Sequence, residues 1–299
     1  MVQDLTLGID LGGTQLRAAV LNAKGEILRR KAVATDVVGG PHAVIAQMVQ
    51  LTADVSGDWR DRLRAAGVSS PGPLDLENGR ASDLPTLPGW FGFPLRDMLR
   101  EKLDLPVVLE NDGVAAANGE WKYGAGRGLA NMVYVTVSTG IGGGVVMDGH
   151  LLHGRRGMAG HIGHMMIDPN GPICGCGGRG CFEGIAAGPA FAMKAQAQGF
   201  ADGKAAFKQA RLGNATAKAL VDEEAEWLGF GFCSLLHLYS PDVIVVGGGL
   251  SSGLDLMMPG IQYQIGKHAM TAFKAVPVVA AVLGDNAGLV GVAALAMEL

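Results

Sequence analysis

The chain has 299 residues, 48% of them hydrophobic, enough for one large domain or two ordinary ones with packed cores. A formal charge of −4, with Lys and Arg scattered along the chain, excludes the basic footprint of a nucleic-acid binder and a polybasic membrane patch. No apolar run reaches the roughly eighteen residues of a membrane span and residues 1–7 are too polar for a signal peptide, so a cytoplasmic protein with free thiols is expected.

Residues 5–10 form an apolar run ending in an acid; Leu11-Gly12-Gly13-Thr14 and a second alternating run, 16–21, follow. The pattern predicts strand, glycine turn, strand. Successive N–H groups in such a turn converge into an anion-binding nest, and Asp10 at the strand end suits Mg²⁺, directly or through water. An ordinary hairpin fits this stretch equally well. A strand at 27–34 and a helix at 41–56, with Val44, Ile45, Met48 and Leu51 at helical spacing, come next. A strand at 65–68 leads into Ser69-Ser70-Pro71-Gly72-Pro73, which predicts a loop, and Pro85 with Pro88-Gly89-Trp90 predicts another. Trp90 suits either a sugar-stacking role or a hydrophobic anchor.

A helix at 95–103 and a strand at 106–109 precede Glu110-Asn111-Asp112 and an alanine-rich helix at 113–123. Asn111 and Asp112 therefore stand at the carboxyl edge of a sheet, where open α/β sheets bind ligands; Asp112 is alternatively a helix N-cap. Strand 132–138, the turn Thr139-Gly140-Ile141-Gly142-Gly143-Gly144 and a return strand at 145–147 repeat the first unit. Two such units suggest two similar halves gripping one polyphosphate. Neither carries a Walker or Rossmann glycine pattern.

The stretch 160–184 holds three of the four cysteines. His164, Cys174, Cys176 and Cys181 make the Cys₃His set of a closed structural zinc site, with reduced loop thiols or a disulfide pair as alternatives; Cys233 is expected in the core. Helices at 189–197 and 201–239, a strand at 242–246 ending in Gly247-Gly248-Gly249, a helix at 255–273, a strand at 276–283 and a last helix from Gly284-Asp285-Asn286 to 296 complete the chain. The glycine triplet would let an adenine or ribose lie against backbone. The class is α/β, with one domain at 1–118 plus a returning helix 286–299, a second at 119–285, and a hinge at Gly124-Ala125-Gly126.

Leu7-Gly8-Ile9-Asp10-Leu11-Gly12-Gly13-Thr14, Glu110-Asn111-Asp112, Ser138-Thr139-Gly140-Ile141-Gly142-Gly143-Gly144 and the 160–184 stretch together resemble the ROK family, bacterial sugar kinases and sugar-responsive repressors. The resemblance implies a two-domain actin/hexokinase-like (ribonuclease H-like) fold with an active-site cleft between domains, ATP, Mg²⁺ and structural Zn²⁺ as cofactors, and a homodimer. It implies that Asp10, Gly12, Gly13, Thr14, Thr139, Gly140 and Gly142 contact the phosphates and Mg²⁺, with Gly247, Gly248 and Gly249 near the nucleoside. Gly72, Asn111, Asp112, His161, His164 and Glu183 would line the sugar, with Asp112 as general base. Phosphoryl transfer asks for such a metal, such donors and one carboxylate to take the hydroxyl proton.

Two positions depart from the family's pattern, the first of them from its glucokinases. His161 stands where many carry glutamate, and bacterial N-acetylmannosamine kinases tend to carry the histidine; Thr86 stands where a sugar-binding asparagine is common. Neutral histidine both donates and accepts, so recognition near C1 and C2 should change. The expected reaction is ATP-dependent phosphorylation of the C6 hydroxyl of an N-acetylhexosamine, N-acetyl-D-mannosamine first and glucose second. The loops around Gly72 and Trp90 look more like glucokinases. A repressor or sugar sensor is the reading from another class; the first strand begins within about five residues of the start and no basic recognition helix is seen, which argue against a helix-turn-helix.

Overall fold

The computed structural model describes residues 4–82, 84 and 86–299, so Pro85 of the second loop lies outside the described residues. The chain divides into two units: Met1–Gly128 with Leu151–Gly160 and Val282–Leu299, and Leu129–His150 with His161–Ala281. The first break follows Gly128 rather than residue 118, because Asn118 is fully buried and donates to the Gly291 carbonyl at 2.8 Å. A helix buried there cannot serve as a boundary.

The first unit runs β1 Leu5–Leu11, β2 Gln15–Asn22, β3 Ile27–Ala34, α1 Gly40–Ser56, β4 Leu63–Ser70, the short β5 Leu74–Asp75 and β6 Arg80–Ala81, α2 Leu95–Leu103, β7 Val107–Asn111 and α3 Asp112–Tyr123. Its main sheet has the order β3-β2-β1-β4-β7. β1 pairs antiparallel with β2 and parallel with β4, and β4 parallel with β7. The central β1 is buried along almost its whole length, Thr6 and Gly8 included, because both sheet faces are covered. Val44, Ile45, Met48, Leu51 and Val55 of α1 are buried in the core that includes Leu5, Leu7 and Ile9.

The second unit runs β8 Met132–Val137, β9 Ile141–Met147, β10 His150–Leu151, α4 Phe182–Ala186, α5 Gly188–Ala197, α6 Gly203–Arg211, α7 Ala215–Tyr239, β11 Val243–Gly247, α8 Leu254–His268 and β12 Val278–Ala280. Its sheet order, β10-β9-β8-β11-β12, repeats that of the first, with β8 antiparallel to β9 and parallel to β11. The strand–glycine–strand repeat in the sequence is thus the leading hairpin of a repeated sheet. The chain ends in the first unit with α9 Ala287–Ala296. This helix is apolar on every side and buried, and small residues bring it against its neighbours. A Cβ at Gly67 would lie 2.0 Å from the Val292 carbonyl oxygen, and one at Gly291 would lie 1.7 Å from that of Ala115.

Several predicted elements differ in extent. Gly142, Gly143 and Gly144 belong to β9 and not to the turn, which shrinks to Ser138-Thr139-Gly140; the Ser138 N–H donates to the Gly140 carbonyl at 2.8 Å. Ser69 and Ser70 complete β4, paired with Glu110 and Asn111 of β7. The predicted 201–239 helix is two helices, broken where Gly213 takes a φ of +89° and the Asn214 side chain accepts from the Ala217 N–H at 3.0 Å. The predicted 276–283 strand shortens to β12, and α8 stops at His268. Trp90 is 1% exposed and packs edge-on to Phe93 at 5.2 Å, so it is the hydrophobic anchor of its two expected roles. No described helix is long and apolar enough to cross a membrane.

Candidate active site

In the first unit the turn after β1 is closed by backbone bonds. The Gly12 N–H donates to the Gln15 carbonyl at 3.0 Å, the Thr35 N–H to that of Thr14 at 3.1 Å, and the Thr35 hydroxyl to that of Gly12 at 2.7 Å. Gly13 packs beneath Thr86, where a Cβ would come within 2.7 Å of the Thr86 Cβ. Asp10 lies opposite Arg17 on β2 and Ser69 on β4. Arg17 Nη1 donates to its Oδ2 at 2.9 Å, and the buried Ser69 hydroxyl donates to its Oδ1 at 2.5 Å. The carboxylate is thereby oriented and partly neutralised before any cation arrives.

β7 ends in Glu110 and Asn111, and Asp112 opens α3. Asn111, not Asp112, is the N-cap: its side-chain oxygen accepts from the Gly113 N–H at 3.0 Å. Asp112 Oδ1 shares that donor at 2.8 Å, and the residue is exposed to solvent at the start of the helix. Surrounding protein nevertheless desolvates the carboxyl and lifts its pKa to about 6, against the Gly113 hydrogen bond and with help from the Asp10 charge. Gly72 sits in the turn beyond β4, half-buried.

In the second unit Thr139 is exposed at the tip of the shortened turn, with Gly140 beside it. The Gly188 N–H at the start of α5 donates to the Ser138 carbonyl at 2.7 Å and braces the turn from behind. Glu183, in the first turn of α4, accepts from the Ile141 N–H through Oε2 at 2.9 Å, and a Cβ at Gly140 would come within 2.4 Å of that oxygen. Its other oxygen lies 3.8 Å from Cys174 Sγ. Glu183 therefore connects the cysteine loop to the glycine turn. Gly247 and Gly248 pack on β8, where added Cβ atoms would meet the Tyr134 hydroxyl and the Val137 carbonyl at 2.4 Å each; Gly249 is the more open of the three. Gly142 pairs with Thr136 inside the sheet, and a Cβ there meets only ordinary contact at 3.5 Å.

His164, Cys174, Cys176 and Cys181 converge, with one ligand atom from each and all four within 4.8 Å of one another. Cys176 Sγ and Cys181 Sγ are 3.7 Å apart, and Cys174 Sγ and His164 Nδ1 are 3.8 Å apart. About 3.8 Å is the edge of a tetrahedron built on Zn–S bonds of about 2.3 Å, so the donor set fits such a cation. None of the four cysteines is in a disulfide, and Cys233 is buried away from the loop. Burial, then its thiol neighbours, push Cys181 up to about 12, the condition a bound cation would reverse. Bridges from Met166 to Cys181 and from Ile173 to Arg179 shape the loop. His161 is half-buried, its ring centroid 6.3 Å from that of His164, and desolvation with the second histidine lowers its pKa. At neutral pH it is an uncharged donor and acceptor.

Three partners escape a reading by motif: Arg17 and Ser69 on Asp10, and His153, whose Nε2 lies 2.7 Å from Oε2 of Glu110 in the Glu110-Asn111-Asp112 motif. Strand register would reveal the first two once β1, β2 and β4 were aligned; no local signal marks His153.

The ROK family model matches residues 6–298. Among curated relatives, N-acetylmannosamine kinase of Escherichia fergusonii is 37% identical over 97% of this chain and 98% of its own. Glucokinase of Thermotoga maritima is 33% identical over 98% and 97%. The crystal structure of a ROK family glucokinase from Streptomyces griseus in complex with glucose and AMPPNP superposes with a TM-score of 0.85, at 33% identity over 99% of this chain and 100% of that one. The chain belongs to the ROK family, and its fold is the actin/hexokinase-like α/β fold.

Proposed function

We propose that this sugar kinase of the ROK family transfers the γ-phosphoryl group of ATP to the C6 hydroxyl of an N-acetylhexosamine, N-acetyl-D-mannosamine foremost. The observation that carries the reaction is the placement of Asp112, a carboxyl at the head of α3 that accepts the Gly113 N–H beside Asp10, with desolvation raising its pKa. Such a group is ionised at neutral pH yet basic enough to take the hydroxyl proton as the bond to phosphorus forms. Asn111, His161, Glu183 and Gly72 would hold the sugar, each hydroxyl finding a partner that a wrong sugar would leave unpaired. The neutral His161 supports an acetamido sugar, because it offers a donor where glutamate offers none.

Asp10, Gly12, Gly13, Thr14, Thr139, Gly140 and Gly142 would contact the phosphates, with Gly247, Gly248 and Gly249 near the nucleoside. Asp10 would hold Mg²⁺, which when bound offsets phosphate charge. His164, Cys174, Cys176 and Cys181 would hold a structural zinc that stiffens the loop between His161 and Glu183. The working form is a cytoplasmic homodimer.

Glucose is the second reading, favoured by the Gly72 and Trp90 loops and by the glucokinases among the relatives. A coupled kinase assay with Mg·ATP across N-acetylmannosamine, N-acetylglucosamine, mannose and glucose separates them. A highest kcat/KM on glucose would replace the first reading by the second, and no turnover on any of the four would remove both.

A further inference from the structure

We infer that Glu110 and His153 form a positioning pair that holds the Asn111–Asp112 corner in place for phosphoryl transfer; the inference rests on Asp112 acting as the base. Glu110 is 2% exposed at the end of β7, where a carboxylate needs partners for both oxygens. Its Oε1 accepts the backbone N–H of Asn111 at 2.8 Å, the residue that caps α3 and precedes Asp112. Its Oε2 is 2.7 Å from Nε2 of His153. The Glu110 hydrogen bond, and then its charge, raise the pKa of His153 against the opposing effect of burial, and the Leu151 carbonyl favours the protonated ring further. The imidazolium, with a donor on each nitrogen, suits both neighbours.

The second segment is itself held. The His153 carbonyl accepts the Ala159 N–H at 2.9 Å, closing residues 153–159 on themselves just before Gly160 and His161. One buried carboxylate thus joins the peptide that aims the base to the stem of the segment leading into the sugar loop. Neither side chain has a part in the reaction proposed above. An ion pair with one member open to solvent contributes little net stability, so the consequence of this one is geometric. A small displacement of a reacting group is costly in rate.

His153 is partly exposed, with 42% of its side chain accessible, so its removal is compatible with folding. In the full chain, His153→Ala should lower kcat about tenfold while the KM for ATP stays unchanged, since the pair touches the corner and not the phosphate turns. His153→Gln, whose amide donates to Glu110, should recover most of the loss. Glu110→Gln, which keeps an acceptor for Asn111, should add little to His153→Ala in the double variant. A wild-type kcat in His153→Ala, whatever its melting temperature, would reduce the pair to a structural contact and overturn the inference. Asp112→Asn separates the two ideas. If it is inactive while His153→Ala is normal, only the pair fails; if it turns over normally, the base assignment fails first.

Discussion

The two glycine turns occupy equivalent places in two sheets of the same order, yet they obtain their carboxylates differently. In the first, Asp10 belongs to the strand that enters the turn, and its partners are its own cross-strand neighbours Arg17 and Ser69. In the second, Ser138 stands at the corresponding strand end, and the carboxylate comes from Glu183, forty-two residues beyond the Ile141 N–H it accepts. One turn is organised by sheet register and the other by a loop that four metal-type ligands draw together. A repeated scaffold has thus divided its labour: the first unit carries the acids suited to chemistry, Asp10 and Asp112, and the second ties its turn to the loop bearing His161.

The division is broken most directly at Asp112. Asp112→Asn should lower kcat by about 10²–10⁴-fold with sugar affinity retained, measured by coupled assay and by calorimetric titration. In the intact protein kcat/KM should fall as pH drops through about 6, since protonation removes the base. The sign of the linked stability term is opposite to that of a salt-bridged acid. A carboxyl whose folded pKa lies above its unfolded value binds its proton more tightly when folded, so its contribution is favourable at low pH and is lost as pH rises through about 6. A flat rate profile between pH 5 and 7 would contradict the assignment.

The second unit is broken at the cysteine loop. Cys176→Ser should lose most of about one equivalent of zinc, by metal analysis, and because Glu183 joins that loop to Ile141, the KM for ATP should rise together with that for the sugar. Zinc-free protein with unchanged constants would show that the two turns do not differ in the way described. A smaller effect is expected from His161→Glu, which exchanges a neutral donor and acceptor for an acceptor alone. It should shift the ratio of kcat/KM for N-acetylmannosamine over glucose about tenfold toward glucose. An unchanged ratio would take His161 out of sugar recognition.

What could be seen in the sequence follows the same contrast. Asp10 with its glycines, Asn111-Asp112 and the cysteine cluster are local patterns, and their elements formed close to the expected boundaries. The partners that orient them are distant: Ser69 reaches Asp10 across fifty-nine residues, and His153 reaches Glu110 across forty-three. Those contacts depend on strand register and loop return, which no short motif encodes. The glycines of β9 misled for a related reason. Gly143 lies where a Cβ would meet the Tyr134 carbonyl at 2.2 Å and Ile162 Cδ1 at 2.5 Å, so close packing within the unit, not a turn, requires it.

Gly142, its neighbour, gives the finest test of the second turn. It pairs with Thr136, its backbone is extended, and an added methyl meets only Thr136 Cγ2 at 3.5 Å. Gly142→Ala should therefore leave the melting temperature within about 2 °C of the parent, as for other substitutions without a clash. If Gly142 lies beside a phosphate, as proposed, the same methyl should raise the KM for ATP about threefold, since a closely approaching backbone tolerates no side chain. Gly140→Ala supplies the contrast, because its methyl would meet Glu183 Oε2 at 2.4 Å and disturb the turn itself. An unchanged KM in Gly142→Ala beside a raised one in Gly140→Ala would confine the phosphate contact to Ser138-Thr139-Gly140 and leave Gly142 a residue of the sheet.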